Sequence, residues 1–252
     1  SIRKYFNIYI HKLIKNRIEM ILKNDFSNIQ LINNNEESNS RREKIVWVSW
    51  LQGEEHAPEI VKDCIRSIRK FIPNDYRFIL IDESNFNKYI NFPKHIDDKI
   101  KSGKITKTHL SDLMRWYLIY NFGGIWIDAT IHMSKKLEND MLDNFLTFKT
   151  EKDPELKYIA NGRWTGFMIG GEVHYQPAAQ ILNTLYKYWL VEDKMLDYFL
   201  IDYVLDYTYE KNEQFRFDID TKSFLNNFIY KRINEEISLE ENHYGINKLS
   251  YK

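Results

Sequence analysis

The segment SDLMRWYLIYNFGGIWIDAT (111–130) contains the side chains whose types and spacing are best suited to chemistry. Its first part predicts a helix, on which Asp112 and Arg115 lie three residues apart on a polar face that also carries Ser111. The glycines of NFGG end this helix, and IWIDAT predicts a strand with Asp128 at or near its end. A carboxylate and a guanidinium on one helix face can hydrogen-bond a polar ligand, and a carboxylate at a rigid strand end can bind a divalent cation. The alternative for Asp112 and Arg115 is a plain intrahelical ion pair worth only ~0.2–0.5 kcal/mol.

Strands and helices alternate around this segment, and their alternation predicts an α/β fold. KIVWVSW (44–50) and YRFILID (76–82) are short apolar runs typical of buried strands, with an amphipathic helix between them that stops at Pro73. The further predicted elements are a short helix at 84–89, helices at 107–121, about 176–190 and 197–209, and a core strand in WTGFMIGG (164–171). The pattern is that of a doubly wound sheet, which binds ligands beyond the carboxyl ends of its parallel strands.

Composition and charge exclude several classes of protein. The 252 residues are 43% apolar and 29% charged, which is typical of a globular chain with one large domain and appendages, or with two small domains. No apolar run reaches the ~18 residues needed to span a bilayer. The single Cys64 and the lack of a Cys/His ligand set predict a reducing compartment, with the cytoplasm as the default. Because 36 basic and 36 acidic residues cancel, nucleic acid is not an expected partner.

The first 24 residues differ from the rest of the chain in charge and pattern. They carry six basic residues against one acidic residue, and their apolar residues recur at helical spacing. The segment predicts an amphipathic helix that either lies on an anionic membrane surface or packs against the catalytic body or a second subunit. The polar, aperiodic run 33–43 predicts a linker, so we expect a helical arm with its linker over 1–43 and the main domain over 44–252.

Transfer of a sugar from a nucleotide diphosphate needs a base pocket, compensation of the diphosphate charge, and hydrogen bonds that hold the hexose. The segment 111–130 resembles the S-D-x-x-R, Y-x-x-G-G-x-[WY]-x-D-x-D signature of nucleotide-sugar glycosyltransferases, specifically the capsular polysaccharide synthesis group related to glycosyltransferase family 32. The similarity extends over roughly residues 44–252 and includes KIVWVSWLQG, WTGFMIGG, IDYVLD and the terminal KLSYK. It implies the GT-A fold, a Rossmann-like α/β fold with a mixed, mainly parallel sheet flanked by helices.

The resemblance also implies roles for individual residues in binding the donor. Trp47 and its strand neighbours would line the uridine or other base site, while Asp112 and Arg115 would hydrogen-bond the donor hexose. Trp126, two residues before Asp128, would lie beside the donor, although a core position is the alternative. Asp82, at the end of its predicted strand, would touch ribose or base, or would merely cap the next helix.

The metal site implied by the resemblance departs from the family's pattern at one position. Mn²⁺ or Mg²⁺ would be held by Asp128, but the second aspartate of the signature is Thr130 here. The hydroxyl of Thr130, a water molecule or another side chain must then complete the site. The segment NHYGINK is similar, with one residue fewer, to a C-terminal His-x-x-Gly-x-x-Lys element of related retaining enzymes, so His243 would bind the metal and Lys248 the phosphate. An ordinary surface or core histidine is the alternative for His243.

The segment IDYVLD supplies the last candidate group. In related enzymes an acidic side chain in this part of the chain lies near the anomeric carbon and the acceptor, which implies that role for Asp202, with Asp206 as its weaker companion. The resemblance points to retention of anomeric configuration, with a glycan or lipid-linked oligosaccharide as acceptor and with a peripheral position on the inner face of the membrane. A non-catalytic nucleotide-sugar or glycan binding module and a membrane-surface scaffold are the two alternatives.

Overall fold

A six-stranded sheet with a packed core on each face forms the body of the protein. The computed structural model describes residues 1–27, 31–32, 44–138, 141, 145–227, 229 and 243–249. The strands are β1 (Ile45–Ser49), β2 (Arg77–Ile81), β3 (Gly124–Ile127), β4 (Ile131–Met133), β5 (Phe145–Lys149), β6 (Met168–Gly171), β7 (Phe224–Leu225) and β8 (Ile246–Lys248). The helices are α1 (Ile2–Leu22), α2 (Glu59–Phe71), α3 (Phe86–Tyr89), α4 (Lys94–Lys101), α5 (Lys107–Phe122), α6 (Gln176–Val191), α7 (Leu200–Lys211) and α8 (Glu213–Lys222), with a short 3₁₀ turn at Glu54–His56.

The strand order confirms the predicted mixed, mainly parallel α/β fold. The main sheet runs β2-β1-β3-β6-β5-β7, and β4 and β8 form a separate antiparallel pair. Strand β1 pairs in parallel with β2 and β3, and β5 pairs in parallel with β7, whereas β6 is antiparallel to both β3 and β5. The parallel strands β1, β2 and β3 therefore point their carboxyl ends toward one edge of the sheet, which is the edge where Asp128 follows β3.

Alternating side chains of β1 show how the sheet divides two cores. Ile45 and Trp47 pack into the core that contains α5 and α6, while Val46 and Val48 pack into the core that contains α2. Because successive side chains of a strand point to opposite faces, a strand that is apolar throughout must be covered on both sides. The continuous apolar run of the sequence therefore predicted the covered sheet correctly.

The N-terminal helix α1 packs against the body with one face and exposes apolar side chains on the other. Ile18 and Ile21 are buried in the core that also contains α6 and α7, and His11 hydrogen-bonds Tyr203 of α7 with 2.8 Å between Nδ1 and the hydroxyl oxygen. The predicted packing against the catalytic body is thus present. The predicted linker 33–43 lies outside the described residues. None of the helices in the described ranges is both long enough and apolar enough to cross a membrane.

Candidate functional site

The turn from α5 into β3 positions the strand that ends at Asp128. Gly123 and Gly124 have φ values of 69° and 100°, and a Cβ on Gly124 would lie 2.4 Å from the carbonyl oxygen of Ile45 in β1. Only a residue without a side chain fits this close approach without strain. The indole Nε1 of Trp47 donates a hydrogen bond to the carbonyl oxygen of Gly123 at 2.9 Å, and this bond fixes the turn against β1.

Asp128 follows β3 directly and is held by main-chain and side-chain contacts. Its backbone N–H donates to the carbonyl of Phe167 at 2.8 Å, and its carbonyl accepts from Ile131 at 2.9 Å. Its Oδ1 accepts hydrogen bonds from Nε1 of Trp126 at 2.7 Å and from Nη2 of Arg115 at 3.3 Å. Trp126 is almost completely buried, and its indole holds Asp128 in place. An effect of Trp126 on a donor would therefore act through Asp128.

Arg115 links the two carboxylates that the sequence placed in one site. Its Nη1 donates to Oδ1 of Asp112 at 2.9 Å, and its guanidinium lies 5.3 Å from the ring centre of Trp126. The side chain is only 5% exposed, and a Cβ added to Gly166 would come within 3.0 Å of Nη1. The polar face of α5 is therefore buried, whereas a plain surface ion pair at this spacing would be solvated.

A hydrogen-bonded pair of aromatic side chains, His109 and Trp189, lies behind Asp112. Nε1 of Trp189 donates to Nε2 of His109 at 2.9 Å, so that nitrogen accepts, and a neutral imidazole carries its proton on Nδ1. Nδ1 lies 3.5 Å from Oδ2 of Asp112. Nδ1 of His109 is close to Asp112 without hydrogen-bonding it, so the carboxylate is held by the hydrogen bond that Oδ1 accepts from Arg115.

Asp202 faces the same region from α7. Its Oδ1 accepts a hydrogen bond from Nε1 of Trp164 at 3.0 Å. The pKa of Asp202 is raised to about 6, and burial is the largest cause. The hydrogen bond from Trp164 opposes this rise, the charge of Asp112 adds to it, and the charges of Arg115 and Arg163 oppose it. The structure therefore brings Asp202 into the electrostatic field of Asp112 and Arg115.

Asp206, one turn further along α7, has a different environment. Its carboxylate forms ion pairs of 2.7 Å with Nζ of Lys15 in α1 and with Nη2 of Arg163. The Asp206 side chain is buried among these partners. Asp206 thus joins α1 to α7 and to the loop before β6.

These groups border a cleft of about 660 Å³ between α5, α7 and the loop that precedes β6. Five of the predicted residues line it, namely Ser111, Asp112, Arg115, Asp128 and Asp202. Two buried polar atoms of the lining, Nε of Arg115 and Oγ1 of Thr165, have no hydrogen-bond partner among the described residues. Buried donors and acceptors are rarely left unpaired, so these atoms indicate where a ligand binds.

The other predicted residues do not line this cleft. Trp47 is fully buried, and its indole N–H is bonded to the Gly123 carbonyl in the turn after α5. Its predicted contact with a base stays a prediction. Asp82 accepts hydrogen bonds from the backbone N–H groups of Ser84 and Asn85, at 2.9 and 3.2 Å, which matches the alternative of a local cap.

The residues assigned to Mn²⁺ or Mg²⁺ do not fit a divalent cation in this arrangement. Nζ of Lys248 donates to Oδ2 of Asp128 at 2.9 Å and to Oγ1 of Thr130 at 2.5 Å, so an ammonium group lies where the cation would bridge them. His243 is 70% exposed, and its Nε2 lies 3.8 Å from a carboxylate oxygen of Glu138. Across the described ranges, no group of three or more His, Cys, Asp or Glu side chains could hold a metal ion. Mg²⁺ and Mn²⁺ require several oxygen ligands that are free to coordinate.

The sequence reasoning missed several residues of the cleft. Thr165 and Trp164 lie in the quoted WTGFMIGG segment but were interpreted only as part of a strand, whereas β6 begins later, at Met168. The aromatic side chains of Tyr158, Tyr198 and Phe199 also line the cleft, and the last two are 61% and 39% exposed. Two features of the sequence could have indicated these residues. One is an indole and a polar residue just before a glycine, and the other is the presence of aromatic residues in otherwise polar loops.

Comparisons with known proteins give a family match and a distant relative. The family model of the capsular polysaccharide synthesis proteins matches residues 1–251. The O-glycosyltransferase braB of Annulohypoxylon truncatum is 28% identical over 159 residues, which cover 59% of this chain and 36% of that protein. The match thus spans little more than a third of that relative's length. Because the family model covers nearly the entire sequence, the chain belongs to the family of capsular polysaccharide synthesis proteins.

Proposed function

We propose that the protein is a glycosyltransferase that moves a hexose from a nucleotide diphosphate sugar, specifically a UDP-sugar, to a glycan or lipid-linked oligosaccharide in capsule or surface polysaccharide synthesis. One observation carries the proposal: a buried Arg115 joins Asp112 and Asp128 at the wall of a cleft large enough for a sugar nucleotide. The family membership and the name of the relative support transfer of a glycosyl group.

The donor hexose would bind against α5 and the loop before β6. Carboxylates accept hydrogen bonds from sugar hydroxyls, and the free Nε of Arg115 donates one. The unpaired hydroxyl of Thr165 is available to a second sugar oxygen. Because Asp112 and Arg115 are already hydrogen-bonded to each other, and Arg115 also to Asp128, they would bind the hexose with little further loss of side-chain entropy.

Asp202 would act on the anomeric centre. At neutral pH, a carboxyl group with a pKa of about 6 is mostly ionised, so it can stabilise the positive charge that develops on the hexose. For a retaining transfer, the acceptor hydroxyl attacks from the side of the leaving group, and the departing diphosphate accepts its proton. Asp202 would then align the two reactants, and Trp164 would fix its carboxylate.

The acceptor would enter over the aromatic rim of the cleft. The rings of Tyr158 and Phe199 lie edge to face with 5.2 Å between their centres, and those of Tyr198 and Phe199 with 4.9 Å. Exposed aromatic faces bind the apolar faces of sugar rings while the hydroxyls stay solvated. This rim supports a glycan rather than a small alcohol as the acceptor.

Nucleotide release from a panel of UDP- and GDP-sugars tests the catalytic proposal. We expect turnover with at least one donor, and Asp112→Asn should reduce kcat by ~10²-fold or more because it weakens the contacts that hold Arg115 and the hexose. Asp98→Asn, which changes an exposed carboxylate on α4, is the matched control and should leave kcat unchanged. Saturable binding of a UDP-sugar without release from any donor would instead identify a binding module.

We also propose that the exposed face of α1 lies on an anionic membrane at the inner face of the cell membrane. Apolar side chains continue along this face, and Ile2, Tyr5, Phe6 and Tyr9 are 57% to 91% exposed. Lys15 and Arg17 form ion pairs with the body, so Arg3, Lys4 and Lys12 are the exposed basic residues that would complement an anionic surface. An exposed apolar ridge beside such residues is typical of interfacial helices. A lipid-linked acceptor would be concentrated at this surface.

Co-sedimentation with vesicles tests the membrane contact. The full chain should bind phosphatidylglycerol vesicles and not phosphatidylcholine vesicles, and Phe6→Ser combined with Tyr9→Ser should remove most of that binding. Phe217→Ser is the matched control, since Phe217 is 56% exposed on α8. Equal binding by all variants would contradict the proposal. If the Phe6/Tyr9 variant also lost turnover of a soluble acceptor, the scaffold alternative would be favoured.

A further inference from the structure

A lysine of the C-terminal strand lies at the position where the signature of this family calls for a divalent cation. Its Nζ is bonded to one carboxylate oxygen of Asp128 and to the hydroxyl of Thr130, at 2.9 and 2.5 Å. These are the two positions of the D-x-D pattern, with the second carboxylate replaced by a hydroxyl. A neutral hydroxyl in place of a carboxylate removes one negative charge, which suits a monovalent ammonium better than a divalent ion.

Main-chain pairing holds Lys248 at this position. Strand β8 pairs with β4 so that Lys248 lies opposite Ile131, the residue directly after Thr130. The backbone N–H of Leu249 donates to the carbonyl of Thr130 at 2.9 Å, and that of Lys248 donates to the carbonyl of Ile229 at 2.7 Å. Main-chain pairing therefore places the backbone of Lys248 next to Thr130, and from there its side chain reaches Asp128.

The carboxylate of Asp128 has two cationic partners. Lys248 and Arg115 both contact this single carboxylate, and they lower its pKa although burial by itself would raise it. An ammonium has three N–H donors, and two are used by Asp128 and Thr130. The side chain is 27% exposed, and Nζ lies 5.4 Å from the ring centre of Phe167, which lines the cleft. The third donor is available to an oxygen of a diphosphate.

We propose that Lys248 supplies the positive charge that a divalent cation would otherwise provide, so that the protein binds the nucleoside diphosphate and transfers the sugar without a metal. The inference rests on the proposed glycosyltransferase function. As the bond between the anomeric carbon and the diphosphate oxygen breaks, its electron pair moves to that oxygen. The Lys248 ammonium stabilises the resulting charge, and the acceptor hydroxyl forms the new bond and passes its proton to the diphosphate. No redox partner or further reactant is needed.

Turnover with and without divalent cations tests this role directly. Nucleotide release by the wild type in EDTA should stay within about 2-fold of that in Mn²⁺ or Mg²⁺, and Lys248→Ala should lose ~10²-fold or more in EDTA. Lys248→Arg should retain a larger part of the activity, because the positive charge is kept. Lys94→Ala, a change at an exposed lysine of α4, is the matched control. Loss of turnover in EDTA with full recovery in Mn²⁺ would overturn the inference.

Binding of Mn²⁺ gives a second readout that does not depend on activity. Titrated calorimetrically in the presence of UDP, Lys248→Ala should bind Mn²⁺ more tightly than the wild type, because removal of the ammonium frees Asp128 and Thr130. Tighter binding by the wild type would refute the role of Lys248, even if no donor were turned over. Absence of turnover with every donor and every cation would refute the proposed function, while this binding comparison would still test the lysine.

Discussion

Replacement of Asp202 by asparagine should make the protein more stable, and more so at neutral pH than at acid pH. The side chain keeps its shape, and the amide oxygen can still accept the hydrogen bond of Trp164. What changes is the ionisation, because burial raises the pKa of the wild-type carboxyl from 3.8 to about 6. A carboxyl with a raised pKa binds its proton more tightly in the folded state than in the unfolded state.

The sign and size of the effect follow from that difference. At pH values below 3.8, the pKa of this carboxyl in the unfolded chain, the group is neutral in both states and does not affect the free energy of unfolding. As the pH rises from there toward about 6, the carboxyl ionises more readily in the unfolded chain, so the free energy of unfolding of the wild type falls. At 1.36 kcal/mol per pKa unit, the loss is on the order of 3 kcal/mol when complete. The variant lacks this loss, so its advantage should grow from near zero at about pH 4 to a few kcal/mol at about pH 7.

Urea unfolding followed by circular dichroism, at several pH values for both proteins, measures the difference. Asp98→Asn is the control, because the pKa of Asp98 is lowered by Lys94, so its replacement should give no advantage that grows with pH. A stability difference between Asp202→Asn and the wild type that stays constant from acid to neutral pH would refute the reasoning. Because Asp202 is proposed to act at the anomeric centre, the stabilised variant should also lose most of its kcat.

Three further predictions concern the same wall of the cleft. Gly124→Ala should lower the free energy of unfolding, measured in urea, by about 2 kcal/mol or more. The new Cβ would lie 2.4 Å from the Ile45 carbonyl oxygen, at a residue with positive φ. An unchanged urea midpoint would contradict this close approach. Arg115→Lys should keep the circular dichroism spectrum but lower kcat/KM by ~10²-fold, because a lysine cannot bridge two carboxylates with a planar fork; wild-type kcat/KM would be the contrary result. In a double-mutant cycle of unfolding free energies, Asp128→Asn and Lys248→Met should show a coupling energy of about 1 kcal/mol. The value is small because both side chains are partly exposed. Strictly additive effects of the two substitutions would contradict their contact.

The sequence predicted those parts of the site whose functional residues lie close together in the chain. The i, i+3 spacing of Asp112 and Arg115 puts both on one helix face, and two glycines fix where the helix ends and where Asp128 follows. Local geometry alone therefore brought these three residues together. The burial of that helix face was not visible, because α6 and the loop before β6 cover it from distant positions in the sequence.

The parts that the sequence did not predict depend on long-range pairing. Strands β4 and β8 have three residues each, which is too short for a periodic signal, yet their pairing brings Lys248 to Asp128. Trp47 has a structural role that the sequence did not predict, because its indole donates a hydrogen bond to the Gly123 carbonyl at the tight turn after α5, while its contact with a base stays a prediction. A contact between residues this far apart in the chain cannot be derived from spacing.

The N-terminal helix connects the proposed membrane contact with the walls of the cleft. Asn7 donates to the carbonyl of Glu155 at 2.8 Å, and Nε2 of His11 lies 2.8 Å from the carbonyl of Leu156, so α1 holds the loop whose next turns line the cleft. Lys15 of the same helix pairs with Asp206, one turn after Asp202 on α7. The exposed ridge lies on the opposite face of α1, so a membrane bound there would fix the orientation of both the loop and α7. The helix is therefore part of the structure that positions the cleft, and its truncation should impair folding and catalysis together, whereas substitutions confined to its exposed ridge should affect membrane binding alone.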